Sequence, residues 1–137
     1  LIVKGAGSEN MSAVKMFRPT EQNLISKYIA KVVLDAGGKP CPPIILGIGI
    51  GGSFDKAAAL SKKALLNPVF KKEDMNEFEK EIFDHVNSLG IGCMGLGGDT
   101  TAIGIRVEEA DCHTASLPVA INIQCWADRR QSAIYEK

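Results

Sequence analysis

Glycine limits what this chain can fold into more than any other feature. Fourteen of the 137 residues are glycine, and they cluster: four lie between Gly47 and Gly52 and five between Gly90 and Gly98. An average protein has ~7% glycine. Glycine is the residue for tight turns, positive φ angles and close approach of backbone to a neighbour, so the clusters read as loops built around something. The length suits one domain with a real core. At 45% hydrophobic and 23% charged residues the chain is not expected to be disordered. Sixteen basic side chains balance sixteen acidic ones, which argues against broad nucleic-acid binding through clustered cations. No apolar run approaches the ~20 residues of a membrane-spanning helix. The start at Leu1 fits neither a signal nor a transit peptide.

The pattern predicts an α/β (mixed α+β) unit over residues 1–137, with glycine-rich loops joining strands and two to three amphipathic helices. Leu1 to Lys4 closes a short strand, and Gly5 to Asn10 reads as a loop. Thr20 is the expected N-cap of a helix whose periodic positions run from Leu24 to Val33 and which Gly37-Gly38 ends. Ile44 to Ile50 reads as a buried strand, followed by a helix from Ser53, its expected N-cap, to about Leu66. A capping box at Asp74 and Glu77 is expected to open the next helix. Its inner face is Met75, Phe78, Ile82, Phe83, Val86 and Leu89, and Gly90 stops it. Strands follow near Thr101–Glu108 and Val119–Cys125, with a further strand in Arg129–Tyr135.

Four segments could carry chemistry. The four cysteines, Cys41, Cys93, Cys112 and Cys125, form no Cys-x-x-Cys pair, so neither a zinc ribbon nor a dithiol redox motif is indicated. Free thiols suit a reducing, cytoplasmic setting. Lys39-Pro40-Cys41-Pro42-Pro43 is a stiff turn: it either aims Cys41 at a fixed partner or merely leads into the strand at Ile44. Gly47-Ile48-Gly49-Ile50-Gly51-Gly52-Ser53 either offers backbone donors to an anion or lets a helix pack closely on the strand. His113, in the polar loop from Asp111 to Ser116, either binds a carboxylate or shuttles a proton, or is an ordinary surface histidine. His85 is expected to face solvent. Cys125-Trp126-Ala127-Asp128-Arg129-Arg130 offers a thiolate beside guanidinium groups, or a core Cys and Trp next to a solvated Arg pair.

Together, and in order, these segments resemble the iron–sulfur hydro-lyases of the class I fumarase and tartrate dehydratase family. The carrying stretches are Lys4-Gly5-Ala6-Gly7-Ser8-Glu9-Asn10-Met11-Ser12, Cys41-Pro42-Pro43 with Gly-Ile-Gly-Ile-Gly-Gly, Met94-Gly95-Leu96-Gly97-Gly98, His113-Thr114-Ala115-Ser116 and Cys125-Trp126-Ala127. The resemblance spans Val3 to Arg130. It implies a 4Fe-4S cluster held by three thiolates, with Cys41 and Cys125 as two of them and the third in a Cys-Gln-Asp-Thr-Gly stretch upstream of Leu1. The open iron would act as a Lewis acid on fumarate or malate. A rival arrangement takes the third thiolate from Cys93, which stands where the family usually has proline, or from Cys112.

His113 matches the histidine that contacts the substrate carboxylate, and Gly5 falls in the loop whose backbone donors face substrate. Ala6 departs from the family's third glycine. The Ser8-Glu9-Asn10 ending resembles the fumarase branch more than the tartrate branch. By the same resemblance the chain is the C-terminal part of a larger catalytic domain. It would work with a beta-type subunit or C-terminal domain that supplies further arginines, a threonine and a lysine, in a dimer or heterotetramer. A reading of another class remains: a nucleotide- or phosphate-binding module built on the Gly47–Ser53 turn.

Overall fold

The structure is a computed structural model and describes residues 1–68 and 72–135. A four-stranded mixed sheet forms its centre, in the order β2 (Ala13–Phe17), β5 (Leu117–Gln124), β3 (Ile44–Gly51), β4 (Ala102–Ala110). β3 runs parallel to β4 and antiparallel to β5, which is antiparallel to β2. A small antiparallel pair, β1 (Ile2–Val3) with β6 (Arg129–Arg130), stands apart from it. The helices are a single turn α1 (Ala6–Glu9), then α2 (Ile25–Ala36), α3 (Phe54–Leu66) and α4 (Glu77–Asn87). Among the described residues no helix is long and apolar enough to cross a membrane.

The two faces of the sheet follow from the alternation of side chains along β3. Ile44, Leu46 and Ile48 join one buried cluster with Ile29 and Val33 of α2 and Ile82 and Val86 of α4. The intervening residues, Gly47 and Gly49, face α3, which lies directly on the strand backbone. A Cβ on Gly47 would come 2.2 Å from the Ser61 carbonyl oxygen, and one on Gly49 would come 2.1 Å from that of Ala57. The facing positions of α3 are correspondingly small: Ala57, Ser61 and Ala64 are all buried. Close helix packing therefore accounts for these glycines. Gly51 and Gly52 sit in the left-handed region, at φ 87° and 70°, and turn the chain into α3.

Several local expectations shift. Residues Ala6–Glu9 of the expected loop form one helical turn, in which Ser8 Oγ donates to the Gly5 carbonyl at 2.9 Å. β2 had no period-2 signal strong enough to read, because Lys15 interrupts an edge strand of five residues. Thr20 is not the N-cap: a 3-10 turn over Pro19–Leu24 leads into α2, with the Arg18 amide donating to Glu21 Oε2 at 2.8 Å. Ser53 caps α3 by position, but its hydroxyl donates to Asp55 Oδ1 instead of accepting from the helix. The capping box of α4 lies two residues beyond the one expected at Asp74. Asn76 Oδ1 accepts from the Glu79 amide at 2.8 Å, and Glu79 Oε2 accepts from the Asn76 amide at 3.1 Å. The strand expected over the tail is only two residues long.

Two side chains of α4 tie it to β4. Buried Glu79 also accepts from the Val107 amide at 2.9 Å and pairs with Arg106 at 3.4 Å. Asn87 Oδ1 accepts from the amides of Thr101 and Ala102 at 2.8 and 2.9 Å, fixing where β4 begins. His85 is exposed, yet its Nδ1 is bonded to the Ser26 hydroxyl of α2 at 3.0 Å.

Candidate functional site

Strand directions decide which sequence-predicted residues can meet. Cys41 precedes β3, Cys125 follows antiparallel β5, and the Gly90–Gly98 loop precedes β4, so all three arrive at one end of the sheet. Their backbones are joined. The Trp126 amide donates to the Cys41 carbonyl at 3.3 Å, and the Met94 amide donates to the Pro42 carbonyl at 2.7 Å. Cys41 adopts φ 57° and is exposed, while Cys125 is half-buried. The Pro42–Pro43 peptide bond is cis. Met94, Leu96 and Trp126, the last 56% exposed, present apolar side chains around this end.

The Gly5–Asn10 segment reaches the same end. A Cβ on Gly7 would stand 3.6 Å from the Lys39 carbonyl oxygen, just before Cys41. Lys4 anchors the segment. Its side chain is only 11% exposed, pairs with Glu9 at 2.6 Å and donates to Asn122 Oδ1 of β5. The second Glu9 oxygen pairs with Lys62 of α3 at 2.7 Å. Burial lowers the Lys4 ammonium below the ordinary lysine range, against the opposing pull of Glu9 and, more weakly, of Cys125. Buried Gln124 completes this polar region, with Nε2 donating to the Val3 carbonyl at 3.4 Å and Oε1 without a hydrogen-bond partner. Sequence reading missed Lys4, Asn122 and Gln124. Their only sequence signal is polarity on alternate residues of an apolar strand, at Asn122 and Gln124, beside a lysine that opens the glycine turn.

Hydrogen bonds from Lys4 and then Lys62 hold the Glu9 carboxyl below the usual carboxylate range, and Lys63 and Asn67 do the same for Glu108. Each group binds its proton more weakly folded than unfolded. Their stabilisation is therefore complete above the unfolded pKa of about 4.3 and is lost as pH falls through the lower folded value. Protection of the Gly5–Asn10 amides, taken relative to their intrinsic exchange rates, is expected to fall over that acidic window. Glu9→Gln should remove this dependence, with exchange already fast at neutral pH.

His113 lies elsewhere. The β4–β5 loop that carries it sits beside Gly52, whose amide donates to the Asp111 carbonyl at 3.2 Å. The eight residues of β3 separate that end from the cysteines by about 25 Å. His113 is exposed, and its Nδ1 accepts from the Ala115 amide at 3.1 Å, which leaves Nε2–H as a donor in the neutral ring. Cys112 is exposed in the same distant loop, so it cannot join Cys41 and Cys125 of its own chain. Among the described residues no group of three His, Cys, Asp or Glu side chains is placed to hold a metal ion. Cys41 and Cys125 are thus two thiols whose loops meet at one end of the sheet.

Comparison with known proteins bears on these segments as a whole. The family model for fumarate hydratase (Fumerase) matches residues 1–134. A Methanocaldococcus jannaschii protein, provisionally named as an L(+)-tartrate dehydratase subunit alpha, is 56% identical over 131 residues, covering 93% of this chain and 46% of that protein. The L(+)-tartrate dehydratase subunit alpha of Escherichia coli K12 is 32% identical over 130 residues, covering 92% of this chain and 43% of that protein. The Shigella sonnei subunit of the same name shares the same 32% identity. The chain thus spans less than half the length of these relatives.

Proposed function

Given that the chain belongs to the fumarate hydratase (Fumerase) family, we propose that it forms part of an iron–sulfur hydro-lyase that reversibly hydrates fumarate to (S)-malate. The observation carrying this reading is the Trp126–Cys41 hydrogen bond, which ties together the loops bearing Cys41 and Cys125. Two thiols on joined, stiff loops beside a lysine fit a 4Fe-4S cluster in donor chemistry. A third thiolate comes from outside this chain's described residues. When bound, such a cluster supplies an open iron that acts as a Lewis acid toward the leaving hydroxyl.

The chain's own residues do the positioning. Gly5 opens the turn held by Lys4 and Glu9 over the cysteine end, and the turn's backbone donors bind a substrate carboxylate. Met94, Leu96 and Trp126 form a surface that a beta-type part covers, excluding water from the site. His113 donates from Nε2 to the far carboxylate, and it reaches a substrate at the cysteine end only from a second copy of the chain. The expected dimer or heterotetramer would then have a chemical reason.

The test is anaerobic reconstitution of the complete enzyme with iron and sulfide. Cys41→Ser and Cys125→Ser should each lose most of the cluster absorbance and turnover, and a normal cluster in both variants would overturn the ligand assignment. The relatives' names favour a second reading, dehydration of L(+)-tartrate. Ser8-Glu9-Asn10 supports fumarate, so kcat/KM for fumarate should exceed that for tartrate by at least about tenfold, or ~1.4 kcal/mol. The opposite order would select the second reading.

A further inference from the structure

Cys93 has no part in the scheme above, yet its loop is joined to the Cys41 turn. Both thiols are exposed, and the residues that directly follow them, Met94 and Pro42, share the 2.7 Å hydrogen bond. The two loops also touch at Gly38 and Gly95. A Cβ on Gly95 would lie 2.7 Å from the Gly38 Cα, and one on Gly38 would lie 2.8 Å from the Met94 carbonyl oxygen. Left-handed angles at Gly92, Met94 and Gly95 fold the Cys93 loop tightly against the Cys41 turn. These contacts join the backbones of the two turns, and a disulfide between them needs Cα atoms about 4.4–6.8 Å apart. Cys112 lies at the opposite end of the sheet and Cys125, though its loop also meets Cys41, is half-buried, which leaves Cys93 as the exposed thiol on a loop joined to the Cys41 turn.

We propose that Cys41 and Cys93 form a reversible disulfide when hydrogen peroxide reaches the cluster-free protein, with Cys93 as the resolving thiol. The Cys41 thiolate attacks peroxide: an S–O bond forms, the O–O bond breaks, and the departing hydroxide takes a proton to become water. The Cys93 thiolate then attacks the sulfenyl sulfur, the S–S bond forms, the S–O bond breaks, and a second water leaves. Two thiols lose two electrons in all, and one peroxide is reduced to two waters. The disulfide keeps Cys41 off the irreversible steps to sulfinic and sulfonic acid, and a dithiol reductant returns it. Its value for refilling the site rests on the reading of Cys41 as a cluster ligand, whereas the disulfide itself does not.

The test treats the iron-depleted enzyme with equimolar hydrogen peroxide, blocks remaining thiols and maps peptides without reductant by mass spectrometry. A Cys41–Cys93 cross-link is expected as the main product. In Cys93→Ser the cross-link should vanish and Cys41 should appear as sulfenic acid, passing to sulfinic acid when a second equivalent of peroxide is added. Unlinked Cys41 in the unmutated protein, or Cys41 linked mainly to Cys125, would overturn the proposal. After reduction and reconstitution, cluster absorbance should recover several-fold better in the unmutated protein than in Cys93→Ser, and equal recovery would refute the protective role. A cross-link found together with a normal cluster in Cys41→Ser would instead refute only the ligand reading.

Discussion

Gly49→Ala is expected to abolish folding or to cost about 3 kcal/mol or more, a large share of the 5–15 kcal/mol that holds a domain together. The added methyl would meet the Ala57 carbonyl oxygen at 2.1 Å, the Ser61 amide nitrogen at 2.6 Å and the Leu60 Cβ at 2.9 Å. Two of these three are backbone atoms of one helix, so no rotamer change relieves the clash. α3 must lift from β3, and in lifting it uncovers Leu60 and Leu65. It also carries Lys62 away from Glu9. Urea unfolding should show a much lower midpoint or no cooperative transition. A variant as stable as the parent would mean that α3 does not lie on the strand as described.

The second large effect is a gain. Cys125→Ser and His113→Ala enzymes should each be nearly inactive alone, the first for want of a ligand and the second for want of a carboxylate donor. Mixed in equal amounts and reassembled, half the dimers are hybrids. In each hybrid one site draws an intact Cys125 from one copy and an intact His113 from the other. Activity should then return to about one quarter of the unmutated level, the share expected for a two-fold assembly with sites built across the interface. Activity that stays at the level of the parents would place the two residues in the same copy's site or remove His113 from the chemistry. The measurement is sharp because the two ends of β3 lie too far apart for one chain to bring both residues to a four-carbon dicarboxylate.

Much of the fold was legible from periodicity. α2, α3, β3, β4 and β5 lie close to where hydrophobic patterning and the glycine stops put them, because each buries a continuous apolar face. α1 and β2 were not legible. One is a single turn held by Lys4 and the Gly5 carbonyl, and the other is an edge strand that owes its place to pairing with β5. The Asp74 box was misplaced because Asp74 and Asn76 each have a glutamate three residues on, and only the tertiary bonds of Glu79 to β4 decide between them. At the site, the motifs marked loops that could carry chemistry but not their distances. Cys112-His113 and Cys125 are close in sequence, and the strand between them carries them to opposite ends of the sheet. Of the two roles offered for the Gly47–Ser53 turn, the position of α3 on Gly47 and Gly49 supports close packing.

The position of Glu79 has a consequence for the fate of the chain in a crowded solution. β4 is an outer strand of the sheet, and such a strand can recruit another polypeptide and seed aggregation. The Glu79 carboxylate already occupies the Val107 amide in the middle of that border. An incoming strand would find the ladder interrupted there and would have to displace a buried anion to continue it. The fixture that seats α4 thus also guards the open border of the sheet against runaway self-association.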